Sequence, residues 1–194
     1  MFSFPIIYPH GKDGQASLLN IHLRRFTEKE YHRFFRRYRT DASLDIAPFV
    51  YSREQVSRSY LYNHDPGRTD FACYGIFEGE EPVGSFQLKR MDPGRKSCEF
   101  GIILRDESVR SRGIGTEAMR LGMEMAREKY GMAEILGDTR GDNLRMRRVF
   151  EKLGFEMAER VPGAFLNGDG TREDRLVFRR ALTEEDGKKE ESSI

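Results

Sequence analysis

The chain has 194 residues, 38% of them hydrophobic, with 14 Phe, 8 Tyr and no Trp, a length that suits one domain with a full core. Its 33 Lys and Arg stand against 32 Asp and Glu, so it lacks the basic excess of a dedicated nucleic-acid binder. No apolar run is long enough to span a bilayer, and the short apolar start, broken by Pro5 with no basic residue ahead of it, argues against a signal peptide or anchor and for a cytoplasmic protein.

Residues 18–25 read as a strand. Thr27 with Glu30 three residues on makes a capping box, which opens a helix to about Tyr38. Residues 40–52 read as irregular, and a second helix over 53–62 follows Ser52 as its cap. Asn63-His-Asp-Pro-Gly67 is a turn. Three strands follow, over 71–78, 83–91 and 97–104, and their hairpin-length connections predict antiparallel pairing.

After Gly113 the apolar residues Ile114, Ala118, Leu121, Met125 and Ala126 recur at helical spacing, and Gly131 ends the run. Residues 133–139 make a short strand. The next helix, 143–153, carries Met146, Val149, Phe150 and Leu153 on one face. Strands over 155–161 and 174–182 close the sheet around a glycine-rich loop, 162–171. Residues 183–194 form a charged tail whose composition predicts disorder, leaving 1–182 as a single domain. Cys73 and Cys98 fit no metal spacing and no disulfide framework, so buried free thiols of a reducing compartment are expected, and no metal site.

The most informative stretch is Arg110-Ser-Arg-Gly113-Ile-Gly115-Thr-Glu-Ala118, between a strand and the longest helix. Glycines one residue apart allow a tight turn with exposed N–H groups at the positive end of a helix, which is an anion site. Arg110 and Arg112 add guanidinium charge at its rim. An ordinary helix-start turn fits the spacing as well. A nucleoside-triphosphate loop does not, because no Gly-Lys-Ser/Thr is present. Gly113-x-Gly115-x-x-Ala118 matches the letters of a dinucleotide fingerprint, with Asp138 on the next strand as a ribose partner. However, the residues 105–112 separate strand from glycine, and too few βα units remain.

Arg110-x-x-Gly113-x-Gly115 resembles the pyrophosphate loop of the GNAT acetyltransferase superfamily, whose pattern is Gln/Arg-x-x-Gly-x-Gly/Ala. Glu99-Phe-Gly-Ile-Ile-Leu104 is similar to the strand before that loop. Asn143 followed by Val149-Phe-Glu-Lys-Leu-Gly-Phe155 is similar to the later Asn and Tyr-Glu-Lys-Leu-Gly-Phe signature. The likeness is strong over residues 71–161, and 18–62 adds the right element order without diagnostic residues. It implies an α/β (α+β) fold: a mixed, mostly antiparallel sheet of about seven strands flanked by about four helices, with a central parallel β-loop-α-β step.

The resemblance also implies a chemistry. Acetyl-CoA would be the co-substrate. Its pyrophosphate would lie on the N–H groups of Arg110, Ser111, Arg112, Gly113, Ile114, Gly115 and Thr116, and its pantetheine along Ile102, Ile103 and Leu104. Asn143 would hold the pantetheine or the loop, with Met146 and Phe150 packing against the arm or the core. Glu99 would be the base, through water, and the backbone N–H of Leu104 would polarise the thioester. Phe150 stands where many members carry a tyrosine that protonates the leaving thiolate, and an earlier serine of this helix is also missing. A tyrosine from the first third of the chain is one replacement.

The implied acceptor is a primary amine, on a small molecule or at a protein N-terminus or lysine. The overall layout is similar to that of members that include ribosomal-protein alanine acetyltransferases. Acceptor choice would lie in residues 27–62 and 162–171. There Arg33, Arg36, Arg37, Arg39, Arg53 and Arg58 favour an anionic acceptor, while Asp41, Asp45 and Glu54 favour a cationic one. The alternative is a non-catalytic acyl-CoA-binding or sensing module. Neither a nucleic acid nor a membrane partner is expected, and the chain is read as a monomer, or as a homodimer through the strand-like residues 2–8.

Overall fold

The computed structural model describes residues 6–8, 17–41 and 47–184. In chain order its elements are β1 (Ile6–Tyr8), β2 (Ser17–Leu19), β3 (Ile21–Arg24), α1 (Glu28–Arg37), α2 (Arg53–Asn63), β4 (Ala72–Glu78), β5 (Glu81–Asp92), β6 (Ser97–Leu104), a 3-10 turn (Glu107–Val109), α3 (Ile114–Tyr130), β7 (Glu134–Arg140), α4 (Leu144–Lys152), β8 (Glu156–Leu166) and β9 (Arg172–Ala181). The predicted strand over 18–25 is two strands. They part at Asn20, whose carbonyl accepts the Gly79 N–H at 3.0 Å, so that β2 pairs with β1 while β3 joins the main sheet. The expected dimer segment and charged tail fall largely outside the described residues.

Seven strands form one sheet in the order β3-β4-β5-β6-β7-β9-β8. Every pair in it is antiparallel except β6 with β7. The β4–β5 turn is tighter than expected. Glu78 pairs with Glu81 across Gly79 and Glu80, and the positive φ of Gly79, 57°, suits a two-residue hairpin.

The capping box forms as expected. The Thr27 side chain accepts the Glu30 N–H at 3.3 Å, and the Glu30 carboxylate accepts the Thr27 N–H at 2.9 Å. Arg24 adds a fork onto the same carboxylate at 2.7 and 2.9 Å, which holds the Glu30 carboxyl down at about 2.

Strand alternation divides the interior into two cores. Tyr74, Phe86, Phe100 and Ile135 meet α3 and α4 on one face. Cys73, Phe77 and Ile103 meet α1, α2 and Phe26 on the other. Both cysteines are buried and free. Burial and the neighbouring Glu99 push the Cys98 thiol up to about 12. The centre of α3 lies close on the sheet because residue 122 is glycine: a Cβ there would come within 2.2 Å of the Phe86 ring.

The first half of the glycine-rich loop predicted over 162–171 is strand. The β8–β9 ladder runs on to Leu166 and Arg172, and only residues 167–171 turn. Pro162 and Gly163 fit because the register shifts between Val161 and Phe165. The Asp174 carboxylate secures the shift, accepting the Gly163 N–H at 2.9 Å and an Arg160 N–H at 2.5 Å. The segment expected to govern acceptor choice at this end shrinks accordingly.

Candidate active site

Strands β6 and β7 pair only from Ser97 with Glu134 to Glu99 with Leu136, and then part. Residues 100–104 keep β5 on one side and lose their partner on the other. The Arg105 N–H donates to Val83 across the β5 side at 2.8 Å. Successive N–H groups of a strand point to alternate sides, so that of Leu104 faces the gap.

The segment between strand and helix is anchored, not free. Arg105 is buried and meets Glu81 at 2.7 Å and Asp106 at 2.8 Å. Asp106 caps the 3-10 turn through the Ser108 N–H at 2.9 Å, and Val109 is buried beneath it. These contacts explain why the residues 105–112 form a loop of set shape. Its turn alternates hand: Ser111 has φ 58° and Gly113 φ 84°, with Arg110 extended at −78°. Such alternation gathers backbone N–H groups into an anion-binding concavity, here at the N-terminus of α3. Ser111 adopts a conformation that costs an L-residue energy, while Gly113 adopts it freely.

Gap and loop open into one cleft of about 480 Å³, within the range of small-molecule sites. Its walls include Ile102, Ile103, Leu104, Arg110, Ser111, Gly113, Gly115, Thr116, Asn143 and Met146, which the sequence brought forward. Asn143 ties the far wall together. Its amide donates to the Thr139 hydroxyl at 3.0 Å, and its carbonyl caps α4 by accepting the Met146 N–H at 3.1 Å.

The side chains of four expected residues do not line the cleft, although the backbone N–H groups of Arg112 and Ile114 stay in the loop and at the start of α3. Phe150 is fully buried, its ring stacked 4.3 Å from Phe178 and 5.0 Å from Phe155, so it belongs to the core and not to the cleft. The Ile114 side chain is likewise buried in that core. Arg112 turns away to Glu78, with its fork at 2.6 and 3.2 Å. Glu99 lies at the foot of the gap, on the face of β6 that it shares with Ile103, and does not line the cleft. Arg90, from an irregular stretch of β5, meets its carboxylate at 2.5 Å.

Sequence reasoning missed Tyr38, Asp41, Met119, Arg145, Arg148 and Val149 as lining residues. Val149 and the arginines of α4 carried a signal, since they share a helix with Asn143 and Met146. Tyr38 and Asp41 stood in the acceptor region expected over 27–62, and only tertiary packing brings the end of α1 to this gap. A cluster of tilted and edge-on rings fixes Tyr38, with Phe34, Phe35 and Phe49 ring centroids 5.9, 6.1 and 5.4 Å away.

Among the described residues, no group of three His, Cys, Asp or Glu is arranged to hold a metal ion, and no helix is long and apolar enough to cross a membrane. No curated protein matches the chain by sequence. Solved structures share its fold. A chimera of the Vibrio cholerae spermidine N-acetyltransferase SpeG and hSSAT superposes with a TM-score of 0.74 at 15% identity, covering 87% of this chain and 99% of that one. The Vibrio cholerae spermidine N-acetyltransferase in complex with CoA and spermine gives 0.71 at 14% identity, with 84% and 95% covered. RimL, a ribosomal L7/L12 alpha-N-protein acetyltransferase in complex with coenzyme A, gives 0.68 at 20% identity, with 84% and 94% covered. The family profile of the acetyltransferase (GNAT) domain matches residues 20–156. With the parted parallel strands and the loop before α3, that match over most of the chain assigns it: the chain belongs to the GNAT acetyltransferase family.

Proposed function

We propose that the chain transfers an acetyl group from acetyl-CoA directly to a primary amine. The observation that carries this reading is the continuity of the cleft, from the unpaired edge of β6 to the left-handed turn at Ser111 and Gly113. A long ligand with a phosphate end and an amide-bearing arm matches both. The N–H groups of residues 110–116 and the guanidinium of Arg110 would hold the pyrophosphate. The free edge at Ile102–Leu104 would pair with the pantetheine amides as a further strand would, and Asn143 with Met146 would close the opposite wall.

The acceptor must lose a proton to become nucleophilic, and the departing thiolate must gain one. Glu99 is the base of this proposal, reached through water on the α1–α2 face of the sheet once its carboxylate is shared with the acceptor instead of Arg90. The Leu104 N–H would donate to the thioester oxygen as negative charge builds on it. Phe150 carries no proton to give, and Tyr38 is the phenol among the described lining residues, so Tyr38 takes the role of thiolate acid. Coenzyme A and a secondary amide leave.

The acceptor class is an amine, whether a polyamine-like small molecule or a protein N-terminus or lysine. The test is thiol release from acetyl-CoA with spermidine, lysine and N-terminal peptides, alongside calorimetric binding of acetyl-CoA. Turnover on one class supports the proposal. Tight binding with no turnover on any amine would instead make the chain a donor-binding module, a reading that the missing hydroxyl at Phe150 favours.

A further inference from the structure

On the face of the sheet that carries Glu99, the carboxylates at the two lips of the gap are already taken. Register puts Asp138, two residues past the Leu136 that pairs with Glu99, on that same face. Glu99 meets Arg90 at 2.5 Å, and Asp138 meets Arg175 at 2.9 Å. The Arg90 pairing is not the one that strand register favours. Lys89 stands directly opposite Glu99 in the β5–β6 ladder, where opposite charges ordinarily pair across strands. Arg90 takes the carboxylate instead, because the register shifts between Lys89 and Asp92 and Arg90 turns left-handed, with φ 49°. An L-residue adopts that conformation at a cost, and an irregularity of this kind re-aims a side chain.

The Lys89 ammonium lies over Gly101. A Cβ added to Gly101 would come within 3.3 Å of the Lys89 Nζ and 3.6 Å of the Gln87 side-chain oxygen. The glycine therefore leaves a hollow in the strand surface under these two polar groups. Glu99, Gly101 and Ile103 alternate onto one face, so the hollow lies about 6.5 Å along the strand from Glu99 and next to Ile103, which lines the cleft. The ammonium thus sits between the proposed base and the wall of the cleft. Lys89 is half-buried and makes no ion pair among the described residues. Partial desolvation of a charge with no partner costs free energy, which an anionic group arriving in the hollow recovers.

We propose that the hollow over Gly101 is a carboxylate subsite of the acceptor and that Lys89 selects for it, so that the substrate is a small amino acid whose amine lies at Glu99. The proposal rests on the reading of the chain as an acetyltransferase with Glu99 at the end of the site that receives the amine. The spacing sets a length: an amine at Glu99 and a carboxylate on Lys89 call for two charges a few bonds apart, as in β-alanine or γ-aminobutyrate. A polyamine would instead set a second cation against the Lys89 ammonium and be repelled.

The test is steady-state acetyl transfer, at saturating acetyl-CoA, to β-alanine and γ-aminobutyrate, to their matched amides, and to spermidine. The wild type should favour each acid over its amide by about tenfold or more in kcat/KM, the worth of one charge-assisted bond. Lys89→Met should bring that ratio to roughly one, with the loss appearing as a higher KM for the acids and not as a lower kcat. A merely structural lysine would instead weaken acid and amide alike. Gly101→Ala fills the hollow while keeping the ammonium and should lower the ratio in the same direction, which keeps the idea testable were Lys89→Met to lose its fold. A wild-type ratio near one, a ratio that both variants leave unchanged, or a preference for spermidine overturns the proposal while the transfer reading stands. No turnover on any amine overturns the transfer reading itself, and the subsite with it.

Discussion

Phe150→Tyr introduces at this position the hydroxyl that many members of the superfamily carry, and the geometry predicts that it harms the protein instead of helping the chemistry. The ring has no exposed surface and lies among Phe100, Phe155 and Phe178, with centroids 5.8, 5.0 and 4.3 Å away. A phenol oxygen added there enters a cluster of phenylalanine rings. Burying a hydroxyl without a partner costs about 1–3 kcal/mol. In a chain of this size each kcal/mol lowers the melting temperature by about 2–4 °C, so a drop of roughly 4–8 °C follows from the middle of that range. Circular-dichroism melts should read that drop, and urea unfolding a lower midpoint with an unchanged slope. Acetyl transfer should not accelerate. An unchanged or raised melting temperature together with faster turnover would show that the hydroxyl reaches the cleft, and the assignment of Phe150 to the core would be wrong.

Gly113→Ala places an L-residue at φ 84°, which costs about 1–2 kcal/mol, and combined with Arg110→Ala it should raise the acetyl-CoA dissociation constant at least about tenfold in a folded protein. Glu99→Gln should lower kcat by about a hundredfold and leave acetyl-CoA binding intact; full turnover across the pH range would remove Glu99 as the base. Tyr38→Phe should likewise cut kcat by about tenfold to a hundredfold without changing the dissociation constant, and an unaffected kcat would dismiss the phenol as the acid. The Arg24 fork holds the Glu30 carboxyl at about 2 against 4.5 for the ordinary group. The folded state therefore binds that proton less readily than the unfolded one, so its stabilising contribution is complete above pH 4.5 and is lost as pH falls from there towards 2. Acid titrations of Glu30→Gln should show a shallower loss of stability in that window than the wild type, and identical slopes would refute the pairing.

Local chemistry in this chain was legible because neighbouring residues determine it. The capping box of Thr27 and Glu30 forms as its spacing dictates, and Gly113 marks a left-handed turn at the start of α3. The ordered blocks at Glu99, Arg110 and Asn143 placed the chain in its family because each belongs to one continuous strand, loop or helix. The glycine-rich 162–171 misled for the opposite reason. Composition suggests a loop throughout, but a register shift and the Asp174 carboxylate let the ladder continue to Leu166 and Arg172, leaving only 167–171 as a turn.

What the sequence alone determined is the order of elements, the tight turn at the start of α3 and the family. The tertiary structure decided which side chains meet. It inserts β9 between β7 and β8, buries Phe150 against the rings of Phe100, Phe155 and Phe178, sends Arg112 to Glu78, and brings Tyr38 and Asp41 to the cleft. These contacts join residues as far apart as Asp41 and Arg145, and no local periodicity encodes them. They arise only when two faces of one sheet are covered at once, so the loop before α3 was legible in the chain while the side chains that meet across the cleft were not.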